Sequence, residues 1–566
     1  MKRRSFLKKI PIAASAPIML NGMPISLAAA NSQINRLAMS SENDRVIVLI
    51  QLHGGNDGLN TLIPVEQYSD YVEWRANIAI PPIDSSARRK AIALDNTLPI
   101  QEQVGLHPDM IGVKELYDRG KAAIIHSVGH PNMNGSHFRS RDIWYMGGDY
   151  DDQLGSGWAG RYLQNQFPTY PEGLPDAMMP DPPALEIGRS VNLLFHTGQG
   201  IPIGIAINNP GQFFDLVNSV GGEPPESIIN SYYGQELLWI MGIEEKSNQY
   251  AGRLKEVYDN GSNSGVIYPE KYPFVTNSAV RNPLTSQLRM IARLLDGGIK
   301  TKIFLAKIGG FDTHADQVVD YDRTMGHHAA LLYHISSAVK SFQDDLRQLG
   351  LEDRVLTMTF SEFGRRVSSN GSYGTDHGKA APMFVFGKGV NAGVFGSNPD
   401  ISPEAMNRAR FNIPFELGNS SGGVDRIGTD YRSVFKAALK EWMEAPEDAI
   451  ADSLFNEVPD LEKPLIGGTI TSVDNTFFEN RFRLNHAYPN PANDEVTLSY
   501  YINNVGHVKL SILTAAGKLI RDVVDERQGF GLHEIKVDIS DLPTGAYLYR
   551  LETSSNKATK KLIKTK

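Results

Sequence analysis

Five side chains able to hold a divalent metal ion, Asp57, Asp312, His314, Glu362 and His377, each stand in a glycine-containing loop beside a predicted strand. Carboxylate oxygen and imidazole nitrogen together suit Zn, Mn, Mg or Ca, as one ion or as a pair about 3.5 to 4 Å apart that activates a nucleophile and stabilises charge on an ester. Asp312 and His314 are two residues apart in Gly309-Gly310-Phe311-Asp312-Thr313-His314, so both can reach one ion. Asp376 and His377 lie between glycines, where packing gives them little reason to be. His137 is a further candidate ligand. Ser136 beside it, at the start of a predicted helix, is a candidate nucleophile with Arg139 or Arg141 to hold an anionic ester. The same serine suits a helix N-cap equally well. Taken singly, Asp57 and Asp312 also have a plain reading as helix caps; their recurrence beside strands is what sets them apart.

The elements that position these residues follow from hydrophobic pattern. Val46 to Asn60 opens as an apolar run, read as a strand buried on both faces, and breaks into a loop carrying His53, Asn56 and Asp57. Ligands collect at the carboxyl ends of strands in open α/β sheets. His107 to Gly120 has helical spacing and Lys121 to Val128 returns to a strand, giving a right-handed crossover unit. Residues 171–278, rich in Pro and Gly, read as an insertion or cap with short strands and a helix over 226–258. A helix over 285–295, a strand over 302–308, a helix over 324–349 and strands over 354–360 and 381–387 follow. Three of the candidate loops directly follow strands, so parallel pairing brings them to one edge. On the 324–349 helix, His327, His328 and His334 read as surface or packing residues rather than ligands, although His327 and His328, near its start, are placed to approach the site.

The chain has 566 residues, too many for one ordinary core. A net charge of -8 argues against nucleic acid as partner, and the absence of Cys excludes disulfides, thiol nucleophiles and Cys-ligated zinc. Residues 1–30 run from Arg3-Arg4-Ser5-Phe6-Leu7-Lys8 to Ser26-Leu27-Ala28-Ala29-Ala30 and resemble a twin-arginine export signal, which carries folded proteins. No later stretch reaches the roughly 18 to 20 apolar residues of a membrane span.

HGGNDGLN, SHFRSRD, GGFDTH, FSEFGRR, GTDHGKAAPMFVFG and Thr429 to Phe435 resemble a family of exported bacterial proteins classed as a domain of unknown function, itself similar to the alkaline phosphatase and sulfatase superfamily. The likeness spans residues 40–445 and implies a doubly wound α/β/α sandwich with metal at its carboxyl edge. It implies that Asp57 is the first-strand aspartate, that Asp312 with His314 is a shortened Asp-x-x-x-His pair, and that His377 is the later ligand histidine. Glu362 stands where an Asp-His pair is usual, with Phe363 in place of the histidine, so a second ion has lost a ligand unless His137 or Asp376 supplies one. The sulfatase pattern of Cys or Ser followed by x-Pro-x-Arg is absent around Ser136.

After a linker within 446–480, residues 481–566 alternate with period two and predict a small all-β sandwich. Tyr488-Pro489-Asn490-Pro491-Ala492, Gly517, Asp541 to Tyr547 and the ending Lys560 to Lys564 resemble the C-terminal sorting domain of type IX secretion substrates. The partners so implied are the twin-arginine and type IX machineries, with passage through the periplasm and release or attachment at the cell surface. Two functions follow as expectations: a metal-dependent hydrolase of phosphate or related esters, or a catalytically silent surface protein that keeps the fold to bind a polymer or partner.

Overall fold

Alternation within one strand decides how the larger unit is built. In β1 (Val46–His53), Val46, Val48, Ile50 and Leu52 enter one buried cluster while Ile47 and Leu49 enter another. A strand with both faces apolar needs layers on both sides. The computed structural model describes residues 18–20, 23–25, 43–133, 135–213, 215, 250–274, 279–410, 412–413, 428–467, 483–484 and most of 487–565. The signal segment over 1–30, apart from 18–20 and 23–25, and residues 468–480 of the linker expected over 446–480 lie outside these. So does the expected 226–258 helix before residue 250; residues 250–260 are helical. Residues 446–467 are no linker, because Ile450, Phe455 and Leu465 pack in the larger unit's core. Two compact units result, 1–468 and 469–566.

In chain order the first unit continues with α1 (Ile111–Asp118), β2 (Ala122–Gly129), α2 (His137–Met146), α3 (Trp158–Gln166), β3 (Ala184–Ile187) and β4 (Gly204–Ile207). There follow α4 (Pro283–Asp296), β5 (Ile303–Gly309), α5 (His327–Gln348) and β6 (Val355–Phe360). A small antiparallel pair, β7 (Arg365–Ser369) and β8 (Thr375–His377), leads into β9 (Ala380–Phe386), β10 (Gly393–Phe395), β11 (Thr429–Asp430) and α6 (Tyr431–Ala437). The nine-stranded sheet has the order β10-β2-β9-β6-β1-β5-β3-β4, with β11 also on β2.

β1 lies parallel between β5 and β6, and β3 and β4 extend the sheet in the same sense. Within 171–278, read from the sequence as an insertion or cap, these two strands therefore belong to the sheet itself. β9 runs antiparallel to both β6 and β2. The β1-α1-β2 segment is not a unit of adjacent strands, because β6 and β9 separate β1 from β2. Helices lie on both faces: Val113, Leu116, Leu288, Ile291, Leu332 and Phe342 of α1, α4 and α5 pack in one cluster. Trp144, Trp158, Leu163, Val434 and Phe435 of α2, α3 and α6 pack in the other.

The second unit holds two antiparallel sheets: one of four strands with Gly506–Thr514 and Gly545–Thr553 at its centre, and one of three with Glu495–Ile502 at its centre. Val496, Leu498 and Tyr500 from one sheet and Val508, Leu510, Ile512, Tyr549 and Leu551 from the other share one core. The period-two spacing that predicted these strands is what sends alternate side chains inward.

Candidate metal centre

The loops after β1, β5 and β6 meet at the carboxyl edge of the sheet, and glycine permits the closest approach. Gly54 has φ +125°, and a Cβ there would lie 2.3 Å from the Asp312 backbone nitrogen. Its own N–H donates to Glu362 Oε1 at 2.8 Å. Because β9 is antiparallel, the residues that precede it arrive at this same edge, which is how His377 joins the group. A strand's amino end is here where its neighbours' carboxyl ends are.

Asp312 is the meeting point. Its Oδ1 lies 3.1 Å from His377 Nε2 and 3.2 Å from His314 Nε2, and its Oδ2 lies 3.4 Å from His137 Nε2. Buried Arg365 donates to Asp312 Oδ1 at 2.5 Å, and also to the Gly54, Gly55, Phe311 and Thr375 carbonyls, clamping the loops to the β7-β8 pair. Partial burial works to raise the Asp312 carboxyl; the hydrogen bond and positive charge of Arg365 outweigh it and hold the group at about 2.

Which ring nitrogen carries the proton decides what this arrangement can bind. His377 Nδ1 lies 2.7 Å from the Gly135 carbonyl, which can only accept, so Nδ1 is protonated. Burial lowers this histidine's pKa, so the neutral ring directs the Nε2 lone pair at Asp312, another acceptor. His137 repeats the arrangement: Nδ1 lies 2.9 Å from Glu362 Oε1, a bond that raises the pKa of the ring, and Nε2 is buried without a hydrogen-bond partner. Glu362 is itself fully buried, with Oε2 unpartnered. Ligand atoms of His137, Asp312 and His377 all lie within 4.8 Å of one another. Two imidazole Nε2 atoms and a carboxylate converging, with a second carboxylate behind one ring, fit a divalent cation once it displaces any proton on His137 Nε2.

Phe363 forms the wall, its ring 4.8 Å from His137 and 4.5 Å from His377. His314 stands at the rim, half-exposed, with Nε2 2.9 Å from His377 Nε2 and Nδ1 3.4 Å from Asp376. His53 stacks 5.9 Å from His137. Beside the group opens a cavity of about 370 Å³ lined by Gly135, Arg366, Asp376, His377, Lys379 and Asn412.

The structure thus brings together Asp312, His314, His377 and His137, and sets Glu362 behind His137. It does not bring Asp57 to them. Asp57 is fully buried, and its Oδ2 accepts from Arg75 at 2.7 Å and Gln317 at 2.6 Å. Burial works to raise its pKa, and Arg75 more than offsets this, so it stays ionised in a buried ion pair. Gln317 also meets Thr313 and Thr375, so this pair braces the loop that carries Asp312. Ser136 is the N-cap of α2, with Oγ accepting from the Arg139 backbone N–H at 3.4 Å. The Arg139 guanidinium donates to the Tyr150 and Asp152 carbonyls. His328 is buried against Asn56 at 3.1 Å and His334 against the Ala279 carbonyl at 2.6 Å, as packing residues are. Sequence reasoning gave Arg75, Gln317 and Arg365 no role. The single signal was the Arg365-Arg366 pair directly after a strand end.

Comparison with known proteins finds two family models that match parts of the chain. The chain carries a segment of the family described as "Protein of unknown function (DUF1501)", over residues 276–452, and a "Secretion system C-terminal sorting domain", over 486–565. The first match takes in Asp312, His314, Glu362 and His377. The second marks the chain for secretion and attachment at the cell surface. No curated protein matches. Among solved structures, a protein in the alkaline phosphatase superfamily from Vibrio parahaemolyticus is 10% identical, over 65% of this chain and 67% of that one, with TM-score 0.26. The PsFucS1 sulfatase from Pseudoalteromonas sp. is 10% identical over 67% and 69%, with TM-score 0.25. The alkaline phosphatase from the Antarctic bacterium TAB5 is 10% identical over 65% and 99%, with TM-score 0.26. At these scores no activity and no site residue passes from them to this chain. Among the described residues no helix is long and apolar enough to cross a membrane.

Proposed function

We propose that the protein is a secreted, metal-dependent hydrolase of phosphate or related anionic esters, built on a doubly wound α/β/α sandwich and exported by the twin-arginine route through the periplasm. The observation that carries this reading is the convergence of the His137 and His377 Nε2 atoms on the Asp312 carboxylate, inside 4.8 Å. His137, Asp312 and His377 would hold one divalent ion, with His314 closing the set from the rim. When bound, the ion supplies electrophilic charge that polarises an ester. The chain's own groups do the rest. Glu362 fixes the His137 ring through Nδ1, the Gly135 carbonyl fixes His377 through Nδ1, and Arg365 keeps the Asp312 carboxylate ionised and aimed. Arg366 and Lys379 line the adjoining cavity and draw in an anionic substrate. Phe363 keeps water from one side of the two rings.

A second reading, a catalytically silent surface protein, is favoured by Ser136, whose hydroxyl caps α2 and whose expected partner Arg139 is tied to carbonyls. One experiment separates the two. Protein purified without chelator is assayed for metal by elemental analysis and for turnover of p-nitrophenyl phosphate, its sulfate and a phosphodiester analogue. The hydrolase reading expects one equivalent of metal, and expects both metal and turnover to be lost in Asp312→Ala and His377→Ala. Metal without turnover on any ester favours the silent protein, and turnover unchanged by either substitution overturns the proposed centre.

A further inference from the structure

A second cavity lies on the same edge of the sheet, beyond the ends of β3 and β4. It measures about 780 Å³, and Asn208, Lys271, Arg281, Arg289 and Arg293 are among the residues that line it, with Glu270 the one carboxylate. Among the described residues, four cations against one anion leave a net charge of +3 on its wall, in a chain whose formal charge is -8. We propose that this cavity binds a segment of a polyanionic carbohydrate chain, bearing sulfate or carboxylate groups.

Three independent features point to an anion. Lys271 and Arg281 sit directly opposite each other in an antiparallel bridge, fixed by hydrogen bonds from Tyr272 N to the Val280 carbonyl and from Asn282 N to the Glu270 carbonyl, both 2.8 Å. Like charges directly opposite across a bridge destabilise it, and a bound anion removes that cost. Lys271, Arg281 and Arg289, moreover, are all exposed, so their charged heads are accessible to a ligand. Finally, the wall includes the start of α4, a helix of fourteen residues whose positive dipole end favours negative charge, although Pro283 has no N–H and Asn282 already accepts from Leu284.

Carbohydrate follows from the rest of the wall. Asn208, Asn209 and Ser286 offer amide and hydroxyl groups that suit sugar hydroxyls. Among the described lining residues the one aromatic ring is Tyr258, and the Arg293 guanidinium covers it 4.0 Å from its centre, which disfavours nucleobase stacking there. In the sheet β3 is the neighbour of β5, the strand whose following loop carries Asp312, and β4 lies one strand further out. A chain held here extends toward the candidate metal centre, although its binding does not require that centre to be active.

The test is calorimetric titration of the full-length protein with a heparin-derived hexasaccharide, a galacturonate hexamer and a neutral hexasaccharide, and with a single-stranded oligonucleotide matched in charge to the first. At least one acidic sugar is expected to bind, more weakly as salt rises, and to bind about tenfold or more weakly to the Arg281→Gln/Arg289→Gln variant. The same variant is expected to keep its melting temperature and its turnover of small esters. The two acidic sugars distinguish sulfate from carboxylate as the recognised group. His377→Ala is expected to bind the sugar as the native protein does, so failure of the metal-centre reading leaves this result intact. Equal binding of the neutral hexasaccharide, no binding of either acidic one, unchanged binding in the double variant, or tighter binding of the oligonucleotide overturns the proposal.

Discussion

At the scale of single residues, the candidate centre depends as much on groups behind the ligands as on the ligands. Glu362 is a carboxylate in a loop after a strand, and residue type alone makes it a ligand; its 2.9 Å contact with His137 Nδ1 makes it an orienting group. Such partners commonly matter by about 10- to 100-fold in metal affinity. Glu362→Gln is therefore expected to weaken Zn binding by about that factor in a competition titration, with the metal-free protein melting close to the native one. An unchanged affinity would mean that Glu362 does not set the ring. Sequence reading reached Asp312, His314 and His377 because short glycine-rich loops leave them no packing role. It misplaced Asp57 because the partner that takes it inward, Arg75, is eighteen residues away and carries no pattern that marks it as buried. Arg365 was missed for the same reason: a fully buried arginine that bonds mainly to backbone carbonyls reads as surface charge until the loops around it are seen.

At the scale of elements, the apolar runs located the long strands to within a residue or two, since burial on both faces leaves an unbroken hydrophobic signature. Direction was not legible. Nothing in Ala380–Phe386 distinguishes an antiparallel strand from a parallel one, and only the short β7-β8 connection reverses the chain. The β7-β8 pair itself was read as loop because its residues are few and mostly polar. Strand β2 carries a testable cost. His126 on it is buried, its Nε2 lacks a partner, and burial depresses its pKa to about 4. It is neutral when folded but takes up a proton below about pH 6.5 when unfolded. Its contribution to stability is thus intact above pH 6.5 and declines as pH falls toward 4. His126→Leu is expected to flatten the fall in melting temperature between those limits; an equally steep fall would assign the acid sensitivity elsewhere.

At the scale of the whole molecule, two units with separate cores share one chain. Each core is closed by its own strands, so ending the chain after Gly468 is expected to leave the midpoint and m-value of the first unit's urea transition unchanged. A lowered midpoint would show that the second unit stabilises the first. Within the first unit, the pairing of β1 governs how the protein comes into being. Ile47 pairs with Ile303 and Val46 with Val355, so the central strand has neither neighbour until more than 250 further residues have been made. At ribosomal rates of about 5 to 20 residues per second, that wait lasts roughly 13 to 50 s. For that interval the most apolar stretch of the unit is exposed beside the ribosome, a natural client for a holdase chaperone. His137 waits with it for Asp312 and His377, so the proposed metal centre has its full set of side chains only once translation has passed residue 377.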